Sequence, residues 1–241
     1  MNCPLAAARR PILAGMSFSR LSDPRYAPAG QALTRDQERG VFGQVMGLVA
    51  LTLGTTALGA YVGRNLTGGD GLLFLLAMFA CIIGLQAASA RGHEQLAIAL
   101  LLGLGLTLGI FLGPVLAVYA KADPAAVYQS AGATGAFVAA LGSYGYATRR
   151  DLSAWARPLF FALIALWLFV IAAIFIAIPG ANLIWAVGGL VVFGGFTVLD
   201  FNRLRRTSMA GSVPIAASIF LDVFNIFLFF LTLFGGGGQR R

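Results

Sequence analysis

Asp200 and Asp222 are the two of nine acidic residues that fall inside stretches long and apolar enough to span a bilayer. An ionised carboxylate in hydrocarbon is strongly disfavoured, so an acid placed there faces an ion path, a proton relay or a partner. If the two approach one another, both cannot easily be charged at low dielectric, and one proton would be shared between them. The same oxygens would attract a hard cation. Two aspartates and an asparagine are too few for a tight site, which suits transient passage better than storage.

Each aspartate also has a plainer reading. Asp200 stands three residues before Arg203, an i,i+3 ion pair. It is also near the C-terminus of its helix, where a carboxylate opposes the macrodipole and needs a further compensating group. Asp222 could be a neutral buried acid hydrogen-bonded to another helix. Around it, Ser218, Asn225 and Thr232 fall with Asp222 at i, i+4, i+7 and i+14, within about 80° of helical arc. The rest of that surface is aliphatic or phenylalanine, including Phe220, Phe224, Phe227 and Phe230. One polar stripe on an otherwise apolar helix fits the middle of a bundle. Depth is the difficulty: Asp222 lies about 14 Å along its helix and Asp200 about 4 Å inside the boundary. A direct meeting requires a late start or tilt of the last helix, for which weakly hydrophobic residues 207–217 with Pro214 leave room, or a vestibule reaching in.

The elements that must position these groups follow from hydropathy. With 59% hydrophobic and 11% charged residues and a mean hydropathy of +0.83, the chain is far from a soluble domain, where charged residues make up about 25%. Seven apolar segments, each of roughly 20 residues, are expected to be helices: 41–63, 71–90, 95–119, 125–147, 158–178, 182–202 and 213–234. The fold class is therefore an all-α, multi-pass integral membrane protein with seven transmembrane helices. Residues 1–40, with Pro4, Pro11, Pro24 and Pro28, read as a disordered basic cytoplasmic tail. Residues 41–234 form the transmembrane domain, and 235–241 a short Gly/Arg tail.

Basic residues set the expected orientation. Of 17 lysines and arginines, 13 fall in the N-terminal tail and in the loops after the second, fourth and sixth segments, and 4 on the other side (Arg64, Lys121, Arg240, Arg241). The positive-inside rule places the N-terminus in the cytoplasm and the C-terminus outside. The net charge of +8 is thus mostly topology, and no nucleic-acid partner is expected, because no basic folded face forms. A basic tail does suit a protein partner or an anionic lipid surface.

Enzyme chemistry finds little support. The only histidine, His93, lies in a loop, so no span carries a base for a Ser-His protease or a His-rich metal centre. The only lysine, Lys121, is also in a loop, which removes a Schiff-base reading of seven helices and a phosphate-binding loop. Gly105, Gly109 and Gly113 repeat every four residues and read as a helix-packing seam, as do Gly43 with Gly47 and Gly59 with Gly63. Pro114 interrupts the third segment, where a freed carbonyl lines a cavity or is met by a neighbouring helix. Cys3 and Cys81 lie in the tail and deep in the second segment and are not expected to pair. No enzymatic activity and no cofactor are expected.

Three motifs carry a resemblance: Ala147-Thr148-Arg149-Arg150-Asp151-Leu152-Ser153, Leu199-Asp200-Phe201-Asn202-Arg203 and Phe220-Leu221-Asp222-Val223-Phe224-Asn225. Together with the hydropathy of residues 41–234 they resemble the Bax inhibitor-1 (transmembrane Bax inhibitor motif) family. That resemblance implies seven helices with the seventh central within a 3+3 bundle, in a bacterial inner membrane. It further implies a pH-sensitive calcium leak governed by an aspartate pair, here Asp200 and Asp222; the polar stripe adds Ser218 and Asn225 beside the path. In those members an arginine near the end of helix two exchanges contacts with the pair, and the nearest candidate is Arg91. They often carry a glutamate on that helix too, whereas this chain has Ala77-Met78-Phe79-Ala80-Cys81. The rival reading is a stress-response or regulatory membrane protein that modulates a partner such as a membrane protease without intrinsic flux. A proton-coupled transporter is a third, although no paired broken helices point to a substrate site.

Overall fold

A computed structural model of the chain describes residues 35–66, 71–176 and 178–236. Residues 1–34 of the expected tail and the last five residues of the Gly/Arg tail lie outside the described residues. Seven long helices form among those described: α1 (Arg35–Gly63), α2 (Gly71–Ala90), α3 (Glu94–Ala122), α4 (Pro124–Ala147), α5 (Ala156–Phe175), α6 (Ala181–Leu204) and α7 (Ser212–Gly235). Short 3-10 turns at Ser153–Trp155 and Met209–Gly211 lead into α5 and α7.

All seven expected segments form helices, with boundaries within three residues of those expected except at the start of α1. Residues 35–40, expected in the tail, belong to α1. Asp36 and Glu38 fall in its first turn, where acidic side chains complement the helix dipole and extend the helix past the apolar run. Six helices are long and apolar enough to cross a membrane; α4 is not among them. It has the length, but Gln129, Ser130, Thr134, Ser143 and three tyrosines dilute its hydropathy.

The turns are built from local chemistry. α2 ends in a Schellman arrangement, with the His93 N–H reaching the Ala88 carbonyl at 2.9 Å and Gly92 at φ +75°, a conformation glycine adopts without a Cβ penalty. Between α3 and α4 a single residue, Asp123, closes one helix and starts the next. Its backbone N–H bonds the Tyr119 carbonyl, its Oδ1 accepts from Ala126 N–H at 3.1 Å, and Pro124 fills the first helical position.

α1 and α3 approach backbone to backbone. A Cβ on Gly109 would strike the Thr56 carbonyl, and one on Gly59 would strike the carbonyl of Leu106. The glycine repeat of α3 is therefore a packing seam. Gly43 and Gly47 are not part of it, because a Cβ on either meets nothing within 4 Å. α3 runs through Pro114 without a break. The proline has no N–H for the Ile110 carbonyl, and that oxygen packs against Gly63 of α1.

α7 packs against α1, α2, α3, α4 and α6, while α5 leans chiefly on α6. No residue of α7 from Ser212 to Leu233 is exposed, whereas α5 buries only Leu166. The largest cluster of buried side chains joins Val41, Val45, Leu85, Leu101, Phe201 and Ile219 across α1, α2, α3, α6 and α7.

Candidate functional site

The last turns of α6 are buried on nearly every side: Leu199, Asp200, Phe201, Asn202 and Leu204 are all at most 7% exposed. A helix end so enclosed must satisfy its polar groups from within the protein. Asp200 does so twice. Its Oδ1 accepts from the half-exposed guanidinium of Arg203 at 3.3 Å, so the i,i+3 ion pair forms. Its Oδ2 accepts the hydroxyl of Ser218 on α7. The hydroxyl is the additional compensation that a carboxylate at a helix C-terminus requires.

Asp222 lies one helical turn beyond Ser218, or about 6 Å along α7. It is 5% exposed, within electrostatic reach of Asp200 and Arg203, and its Oδ2 has no hydrogen-bond partner among the described residues. No hydrogen bond joins the two aspartates among the described residues. α7 starts at Ser212, so the late start that would bring the acids level does not occur, and Ser218 is the residue at the depth of Asp200. The cluster is thus a staggered series of Arg203, Asp200, Ser218 and Asp222.

The remaining expected site residues make no hydrogen bond or ion pair with the acids among the described residues. Asn225 turns its amide to the Leu221 carbonyl of its own helix at 2.7 Å, and Thr232 bonds Leu228 at 2.9 Å in the same way. Arg91 is exposed in the turn between α2 and α3 and forms no ion pair among the described residues; the cation on Asp200 is Arg203. Among the described residues no three His, Cys, Asp or Glu side chains cluster as metal ligands. A calcium ion at Asp200 and Asp222 would have to complete its six to eight oxygens with carbonyls, hydroxyls and water.

Asn202 is the residue whose part the sequence did not disclose. Its Nδ2 donates to the carbonyls of Thr148 at 2.9 Å and of Gly145 and Arg150 at 3.2 Å, and its Oδ1 accepts the Leu152 N–H at 3.4 Å. One buried amide therefore fastens the whole α4–α5 loop to the end of α6. The available signal was an asparagine between Phe201 and Leu204 at a buried helix end. A second tie runs from Arg206 to Asp151 at 3.1 Å. The Ser153 hydroxyl and N–H, with Arg206 adding to them, hold the exposed Asp151 carboxyl below the usual carboxylate range. Two of the three motifs noted in the sequence are thus one structural unit, which sets the end of α6 and with it Asp200.

An all-helical membrane protein with a buried acidic cluster between its last two helices is the class this geometry defines. Residues 38–240 match the family described as Inhibitor of apoptosis-promoting Bax1, and the chain belongs to this Bax inhibitor-1 family. It is 29% identical over 214 residues to the inner membrane protein YbhL of Escherichia coli K12, covering 80% of this chain and 89% of the relative. It is 31% identical over 199 residues to the Golgi anti-apoptotic protein of Vaccinia virus strain Lister, covering 81% and 83%. An uncharacterized protein of Deinococcus radiodurans is 27% identical over 218 residues, covering 84% and 93%.

Proposed function

We propose that the protein is a pH-sensitive cation leak channel of the bacterial inner membrane, with calcium as the permeant ion and no catalytic activity or cofactor. In this reading α4 crosses the membrane with the six more apolar helices, α7 stands at the centre, and the N-terminus is cytoplasmic. The likeness to YbhL, named an inner membrane protein, supports the location, and the loop arginines support the orientation.

The observation that carries the reading is the free Oδ2 of Asp222, buried one turn from the Ser218–Asp200 hydrogen bond. A buried carboxyl oxygen without a partner is poised to hold a proton or meet a cation. In the closed state the pair carries a single proton without a direct hydrogen bond between the two acids. Its loss leaves two like charges within electrostatic reach of each other, a repulsion on the order of a few kcal/mol at an effective dielectric of about 20. That is enough to shift a two-state packing of α6 against α7 about a hundredfold. The same freed oxygens would then draw in the cation.

Calcium flux into dye-loaded liposomes containing the purified protein, followed from pH 6 to 8, tests this directly. The parent is expected to leak in a pH-dependent manner and Asp222→Asn to lose that dependence. No flux above empty liposomes at any pH would end the channel reading. A regulatory, stress-response role would then stand, acting on a partner such as a membrane protease. The name of the viral relative, an anti-apoptotic protein, favours that second reading.

A further inference from the structure

α1 and α4 stand side by side around a cavity of about 980 Å³, floored by Leu112 and Leu116 of α3 and by Val223, Phe224 and Phe227 of α7. From α1 the wall takes Arg39, Phe42, Met46, Val49, Leu53, Thr56 and Ala60, one face repeating every three or four residues. From Arg39 to Ala60 this face rises about 31 Å, matching a hydrocarbon core of about 30 Å. α4 contributes small residues, Gly135 and Ala139 among them, which leave the space open.

The wall is largely apolar, and apart from Ser143 and Tyr146 in the last turns of α4 its hydroxyls are taken up within their own helices. Thr56 bonds the Thr52 carbonyl at 2.8 Å and Thr134 the Ser130 carbonyl at 2.7 Å, each within its own helix. A groove that offers so few free hydrogen-bonding groups does not hold water well, and in a membrane its natural filling is a hydrocarbon chain. One end differs. Phe42 and Tyr146 meet edge to face, with ring centroids 5.2 Å apart, and close α1 against α4 there. One turn outward lies Arg39, the charged residue of the lining, which is exposed and makes no ion pair among the described residues. Exposed Arg149 and Arg150 follow the adjacent end of α4. A dry groove capped by a free guanidinium matches a molecule with an apolar tail and an anionic head.

We infer that the groove between α1 and α4 is a lateral binding site for one anionic phospholipid, with an acyl chain along α1 and the headgroup phosphate at Arg39. The site is separate from the aspartate cluster and does not depend on ion flux.

Native mass spectrometry of the full chain in detergent, titrated with phosphatidylglycerol or phosphatidylcholine of identical acyl chains, tests it. The parent should retain one phosphatidylglycerol in preference to phosphatidylcholine. Arg39→Gln should weaken phosphatidylglycerol about fivefold, the equivalent of about 1 kcal/mol, and abolish the preference. Gly135→Leu fills the groove from a position where a Cβ meets nothing within 4 Å, and should exclude both lipids. Gly47→Leu, equally open but outside the lining, should bind as the parent does. Equal retention of the two lipids by the parent, or parent-like binding by Gly135→Leu, would overturn the assignment. So would lipid uptake seen only after removal of residues 1–34, which would give the groove to the chain's own first segment. If Gly135→Leu does not fold, as judged by its unfolding temperature, Arg39→Gln on the exposed helix end decides alone.

Discussion

Ser218 of α7 donates its hydroxyl to Oδ2 of Asp200 on α6 and so fixes the two acidic helices at an offset of one turn. The offset matters because it keeps Asp222 from bonding Asp200 while leaving both charges within reach of each other.

Ser218→Ala should destabilise the protein by about 1–2 kcal/mol, since a buried carboxylate loses a donor. Thermal unfolding in detergent of Ser218→Ala, Asp200→Asn and the double variant forms a cycle that isolates the coupling. A coupling near zero would show that the hydroxyl does not hold Asp200. Ser218→Thr, which keeps the donor, should stay close to the parent.

Asn202→Ala should cost about 2–3 kcal/mol, because the Leu152 N–H and three carbonyls lose their partner together. The loss should be local first. Hydrogen exchange is expected to rise at residues 148–155 while the α1–α3 seam stays protected. Asn202→Asp keeps the acceptor for Leu152 but not the donors, and should fall no closer to the parent than to Ala.

The glycines of the sequence divide by contact. Gly109→Ala forces a Cβ against the Thr56 carbonyl and should lower stability by about 1–3 kcal/mol. Gly43→Ala meets open space and should raise it by about 0.5–1 kcal/mol through helix propensity. Equal effects from the two would mean that α1 and α3 are not in backbone contact.

The Asp151–Arg206 tie has a predictable pH dependence. A carboxyl held below its ordinary value when folded adds stability above the unfolded pKa of about 3.9, and that stability is lost as pH falls through the folded value. The gap in unfolding temperature between the parent and Arg206→Gln should be steady near neutral pH and close towards pH 3. A gap that persists in acid would assign the effect of Arg206 to packing.

Much of the protein could be read without its tertiary structure. Helix content, the extents of the seven helices to within a few residues, membrane residence and the prominence of Asp200 and Asp222 all follow from hydropathy and periodicity within windows of about 20 residues. Family membership followed from three short motifs. Rotation and depth of one helix against another are different in kind, because they are decided by side chains far apart in the chain that meet only after packing. That is why Ser218, and not Asp222, meets Asp200, and why Asn202 holds a loop 50 residues away. It is why the cation on Asp200 is Arg203, and why Gly43 and Gly109, alike in the sequence, face open space and a carbonyl. The groove between α1 and α4 belongs to the same class, since no single helix carries it.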